Sequence, residues 1–204
     1  RPLAPARAPR PRPPRRRMPR AKRKTLADLP PQPDPAAPLD ADLLVRALQP
    51  LRKQLEADLL ARAEASPAVA RALEARHAEE RARKLTADDL ASWRRRFVEQ
   101  VAAAWILSAV FVRTLEDRGL VEQRRIAGPG ALDAQRTFLQ LAPSLSEREY
   151  LLTVFREMTR LPAAAALFDH HDPAWTLAPS AEGARALLQL FRTGGAETPA
   201  LRFG

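Results

Sequence analysis

One apolar stretch decides the fold of this chain: "FVEQVAAAWILSAVFVRTL", residues 97–115. Apolar residues fall on nearly every side of a helix here, and a helix of this kind belongs in the centre of a bundle. Its longest apolar run, residues 101–112, is interrupted only by Ser108. Because about 20 apolar residues are needed to cross a bilayer, we expect a core helix, no membrane segment and a cytoplasmic location.

The sequence on the N-terminal side of this stretch also predicts helices. Leucines recur at spacings of three and four, one helical stripe, at Leu44, Leu48, Leu51, Leu55 and Leu59. Pro50 falls inside the stripe, so we expect a kink or break near Leu48. Ser66-Pro67 begins a second, charge-rich helix. We expect His77, among the charges of that helix, to be a solvated surface residue.

The sequence on the C-terminal side predicts three more helices. One covers residues 132–141, and a second begins at a capping box of Ser146 and Glu149. Ser180 caps the last one. Since no strand pattern of useful length appears, the predicted fold is all-α, an irregular multi-helix bundle.

The positive charge is concentrated at the N-terminus. Residues 1–38 carry 11 Lys and Arg against two Asp, and they hold 12 of the 20 prolines. We expect a disordered basic tail over 1–38, a helical domain over 39–193 and a loop over 194–204. A nucleic-acid arm would use the cations of the tail, namely Arg15, Arg16, Arg17, Arg20, Lys22, Arg23 and Lys24. A low-complexity leader is the alternative interpretation.

Four ionisable residues lie close together where the central helix ends, namely Arg113, Glu116, Asp117 and Arg118. Arg113 is three residues from Glu116 and four from Asp117, so the three side chains can pair along the helix. We interpret them as a structural clasp before the chain turns at Gly119. Arg124 and Arg125, on the loop that follows, are candidates to contact a phosphate or a neighbouring domain.

The composition excludes several kinds of site. Without Cys there is no disulfide or thiolate nucleophile, and without Asn there is no Asn-Pro-Pro-aromatic loop of adenine methyltransferases. The phosphate-binding glycine patterns are also absent. Asp169-His170-His171-Asp172 is the most metal-like cluster, but adjacent residues rarely converge on one ion, so we expect no metal, catalytic or cofactor residue.

Three blocks resemble a known family. They read "AAAWILSAVFVRTLEDRGLVEQRRIAGPG", "EREYLLTVFREMTRLPAAAALFD" and "DPAWTLAPSAEGARALLQLFR". These resemble the N-terminal helical region of the PglX adenine-specific DNA methyltransferases of type 2 BREX (phage growth limitation) systems. "FVRTLEDRGLVE" also looks like a helix end found in type I and type IIG restriction-modification methyltransferases. The resemblance covers about residues 40–204 and leaves out the Pro/Arg-rich leader.

The resemblance implies a non-catalytic fragment of a larger enzyme. The parent would be an S-adenosylmethionine-dependent N6-adenine DNA methyltransferase of a phage defence system, and it would bind the cofactor in a domain not included here. Partners would then be the methyltransferase core, DNA through the parent, and other BREX components. The alternatives are a free-standing helical adaptor and a nucleic-acid binder that uses the basic tail.

Overall fold

A computed structural model of the chain describes residues 41–162, 164–168 and 173–193. These residues form helices and no β-strand, so the predicted all-α class is confirmed. Two single-turn 3-10 segments, Ala165–Phe168 and Pro173–Trp175, connect the later helices. The α-helices are α1 Ala41–Ala65, α2 Pro67–Ala82, α3 Leu90–Asp117, α4 Ala131–Leu141, α5 Glu147–Met158 and α6 Ala181–Thr193.

Helix α3 lies at the centre of the bundle. It packs against α1, α2, α5 and α6, and its side chains are buried on several faces. Trp105 is fully buried, tilts against the ring of Phe155, and donates its indole N–H to the Leu177 carbonyl at 3.1 Å. Helix α3 is also long and apolar enough to cross a membrane, but the buried core helix of a bundle meets the same criteria of length and composition. The apolar stretch that predicted a central helix therefore lies where it was expected.

Short polar side chains fix where the helices begin. The Ser66 hydroxyl accepts the Val69 N–H at 3.5 Å, and the Ser180 hydroxyl accepts the Gly183 N–H at 3.0 Å. At α5, the Ser146 N–H donates to the Glu149 carboxylate at 2.9 Å, which completes the predicted capping box. The cap residues visible in the sequence thus mark the observed boundaries.

The structure departs from expectation in the first two helices. Helix α1 runs through Pro50, so a break near Leu48 is wrong, whereas a kink there stays a prediction. Ala47 and Leu51, on both sides of the proline, pack into the same core. His77 is buried, 7% exposed, and its Nε2 lies 3.0 Å from the Asp88 carbonyl oxygen. Its ring packs against Trp93, which a pattern confined to α2 does not reveal.

All described residues belong to one compact unit, residues 35–204. The basic tail, the segment 194–204 and the Asp169–Asp172 cluster lie outside the described residues. The predicted domain boundaries therefore stay predictions.

Candidate functional site

The candidate site is the connection between α3 and α4, residues 118–130, which we name the α3–α4 loop. The chain leaves α3 through Gly119, whose φ is +67°. The Leu120 N–H donates to the Leu115 carbonyl at 2.9 Å, and the Gly119 N–H donates to the Glu116 carbonyl at 3.2 Å. These two bonds are the Schellman ending, in which a left-handed residue satisfies the last carbonyls of a helix.

A single carboxylate holds the middle of the α3–α4 loop. Glu116 Oε1 accepts the backbone N–H of Arg125 at 2.5 Å and that of Ile126 at 2.7 Å. Its Oε2 accepts the backbone N–H of Ala127 at 3.1 Å. The Glu116 side chain is fully buried, and Ile126 and Ala127 are buried with it. Three consecutive amides therefore point at one carboxylate, and we name this arrangement the Glu116 clamp.

The other charges of the predicted clasp lie beside the clamp. Arg113 Nη1 is 2.6 Å from Asp117 Oδ1 and 3.6 Å from Glu116 Oε2. Burial lowers the pKa of the Arg113 guanidinium, whereas Asp117 and Glu116 raise it. The structure thus brings Arg113, Glu116 and Asp117 together, and it adds a task for Glu116 that local spacing does not predict.

Two residues from later helices hold the carbonyl side of the same loop. The Tyr150 hydroxyl donates to the Arg125 carbonyl at 2.9 Å, and burial raises the pKa of Tyr150 to about 12. Arg192 Nε donates to the Ile126 carbonyl at 2.7 Å, and its Nη1 donates to the Gln135 side chain. The backbone N–H and carbonyl groups of the loop are therefore bonded to side chains of α3, α5 and α6.

The sequence missed these long-range bonds, although two weak signals existed. Tyr150 is the one tyrosine of the chain and stands in an apolar stripe, where its hydroxyl needs a partner. Arg192 follows Phe191 at the end of a strongly amphipathic helix. Neither signal predicts which group is bonded, because the carbonyls that accept from Tyr150 and Arg192 are 25 and 66 residues away in the sequence.

The two arginines predicted to contact phosphate have different surroundings. Arg125 pairs with Glu157 through Nε and Nη2, each 3.1 Å from a carboxylate oxygen, so its charge is matched. Arg124 lies over Gly128, with Nη1 2.8 Å from where a Cβ on Gly128 would stand. Both arginines line an open groove of about 530 Å³ that also contains Glu122. The tail arginines and lysines named above lie outside the described residues. A phosphate contact stays a prediction both for these tail residues and for Arg124 and Arg125.

Most of the charged groups of the site are bonded within the chain. Glu116 accepts three backbone N–H groups, Arg113 pairs with Asp117, and Arg125 pairs with Glu157, and these bonds hold the turn in place. Within 41–162, 164–168 and 173–193, no group of three His, Cys, Asp or Glu residues could hold a metal ion.

A comparison with known proteins supports the resemblance described above. The chain is 32% identical over 163 residues to the adenine-specific methyltransferase PglX of Streptomyces coelicolor, an alignment that covers 76% of the chain. This chain is related to PglX. An alignment of that extent includes the middle of the chain, and so includes α3 and the α3–α4 loop. The chain spans about 13% of the length of PglX. No protein-family profile and no solved structure matches the chain.

Proposed function

We propose that the chain is the helical, non-catalytic segment of an S-adenosylmethionine-dependent N6-adenine DNA methyltransferase of a BREX-type phage defence system. The similarity to PglX over 76% of the chain carries this proposal. In this role the bundle is a scaffold for the methyltransferase core, for DNA or for other components of the defence system. The location would be cytoplasmic, where the DNA substrate is.

The geometry of the Glu116 clamp supports a scaffold role. A general base needs an acceptor within reach of a substrate proton. The fully buried Glu116 carboxylate already accepts three backbone N–H groups, and Arg113 is paired with Asp117. These side chains therefore shape the surface of the bundle at the α3–α4 loop, against which another domain can pack.

The described residues do not fit the cofactor. Dinucleotide and related cofactors bind where a strand turns into a helix through a glycine-rich loop. Residues 41–162, 164–168 and 173–193 contain no strand, and the chain contains no Asn for the catalytic loop of an adenine methyltransferase. S-adenosylmethionine would therefore bind in the part of the parent that corresponds to the rest of PglX.

Two measurements test the proposal. In the host, deletion of the codons for residues 41–193 should abolish N6-methyladenine at the sites of the parent enzyme, as measured by long-read sequencing of genomic DNA. The purified chain, incubated with DNA and methyl-labelled S-adenosylmethionine, should transfer no label. An unchanged methylation pattern after the deletion would favour a free-standing adaptor, and label transferred by the purified chain would overturn the non-catalytic assignment.

A further inference from the structure

The corner between α2 and α3 carries a second charged surface, remote in sequence from the α3–α4 loop. Residues 81–87, "RARKLTA", contain three cations and no acid. An open depression of about 390 Å³ lies here, and its lining includes Arg81, Lys84 and Thr86. Arg96 reaches the same place from α3, because its Nη2 is 3.2 Å from the Thr86 hydroxyl. We name Arg81, Lys84 and Arg96 the basic corner.

Carboxylates near the basic corner are occupied locally. Asp89 caps α3 by accepting the N–H groups of Ala91 and Ser92 at 2.9 and 3.0 Å. Asp88 lies 2.5 Å from Arg96. Arg81 and Lys84 make no ion pair within the described part of the chain and are exposed. Arg81 and Lys84 are therefore the cations of the corner that no carboxylate of the described chain pairs with, whereas Arg96 is paired with Asp88.

Lys84 occupies a position that normally belongs to glycine. Its φ is +58°, and it is the one non-glycine with positive φ among the described residues. The Leu85 N–H donates to the Glu80 carbonyl at 2.9 Å and the Lys84 N–H to the Arg81 carbonyl at 3.0 Å, which is the Schellman ending of α2. At the matching position after α3 the chain uses Gly119.

A lysine in the left-handed region strains the backbone, and such strain is concentrated at functional positions. The dipole of α2 favours cations in its last turn. It does not favour a β-carbon at the left-handed residue. A functional use of the Lys84 ammonium group would offset this backbone cost.

We propose that the basic corner binds the phosphate backbone of duplex DNA, with Arg81 and Lys84 as the contacts. Cations around a shallow open depression suit a regular line of phosphates, which needs charge and reach but no shaped pocket. The choice of DNA over an acidic protein rests on the proposed function, since a scaffold of a DNA methyltransferase lies next to the duplex.

The test separates the charge of Lys84 from its backbone strain. Lys84→Gly removes both, whereas Lys84→Gln removes the charge and keeps the strain. Binding of a fluorescent duplex to the full chain is measured by anisotropy across a salt series. Both variants should make the slope of log K against log salt shallower by about 0.9, the value for one lost phosphate contact. Lys84→Gly should in addition raise the Tm by about 2–4 °C.

Arg71→Gln is the matched control, since Arg71 is exposed near the opposite end of α2 and bonds the Pro67 carbonyl. The control keeps the wild-type slope, and every variant retains the basic tail, so any contribution from the tail cancels. An unchanged slope in both Lys84 variants would overturn the proposal. Displacement of the duplex by polyglutamate as readily as by unlabelled duplex would assign the corner to an acidic protein instead. The proposed function is judged separately, by genomic methylation.

Discussion

Replacement of Glu116 by alanine is the sharpest perturbation of this fold. The substitution deletes the carboxylate that accepts the N–H groups of Arg125, Ile126 and Ala127. Water cannot replace it without entering the core, because the Glu116 side chain is fully buried and so is Ile126. Arg113 keeps Asp117 as a partner at 2.6 Å.

The size of the loss follows from the three amides. A hydrogen bond to a charged group contributes about 1.5–3 kcal/mol, and an orphaned buried donor costs about 1–3 kcal/mol. Three amides at the lower end of these ranges give a loss of about 4–5 kcal/mol in the free energy of unfolding. A domain has about 5–15 kcal/mol in total, so the variant should be close to unfolding. Glu116→Gln retains one carbonyl oxygen but turns its amide NH2 group toward the Ala127 N–H, and should lose about 2–3 kcal/mol.

Urea denaturation followed by far-ultraviolet circular dichroism measures these losses. Glu99→Ala is the control on the same helix, because Glu99 is exposed and should change stability by less than about 0.5 kcal/mol. If Glu116→Ala and Glu99→Ala unfold at the same urea concentration, the carboxylate does not hold the loop and the reasoning is refuted.

Three further predictions concern the effect of pH on stability and the substitution of glycines. Burial raises the pKa of Tyr150, so its hydroxyl should ionise near pH 12 in the folded chain and near pH 10 when unfolded. The free energy of unfolding should therefore fall as pH rises above about 10. Tyrosinate absorbance that titrates at pH 10 in the folded state would contradict this. Burial raises the pKa of Glu149, but hydrogen bonds from Ser146 and Arg148 lower it by more. The pKa is therefore about 2 in the folded chain, against 4.5 when unfolded. Stability present above pH 4.5 should thus be lost as pH falls toward 2, and Glu149→Gln should remove this dependence in urea titrations at each pH. Gly128→Ala should lower the Tm more than Gly119→Ala does. Both glycines have positive φ, but of the two only Gly128 would bring its Cβ against another side chain, that of Arg124. Equal losses of Tm would contradict the close approach of Arg124 to Gly128.

Helix positions could be predicted from the sequence because their signals are local. Caps such as Ser146 and Ser180 act within one turn, and apolar spacing reports which face of a helix is buried. The break considered at Pro50 is absent because the cost of a proline is local, whereas the packing that keeps α1 continuous is not. His77 was misjudged for the same reason, since its burial depends on Trp93 in α3.

The candidate site could be predicted only in part. The spacing of Arg113 and Asp117 indicates an ion pair along the helix, and the structure places them 2.6 Å apart. The bonds from Glu116 to residues 125–127 depend on how the loop folds back, which no periodic pattern encodes. The apolar pair Ile126 and Ala127, directly after Glu122–Arg125, was a sign in the sequence that this loop returns to the core.

Amide hydrogen exchange at Ile126 tests the central claim most directly, because its N–H lies 2.7 Å from the Glu116 carboxylate in the middle of a loop. The Glu116 clamp predicts that this amide exchanges as slowly as that of Val112 in the core of α3. It also predicts that Glu116→Gln accelerates exchange at Ala127, the one donor to Oε2, far more than at Val112. Rapid exchange at Ile126 in the unaltered chain, at the rate of an open loop, would contradict the account.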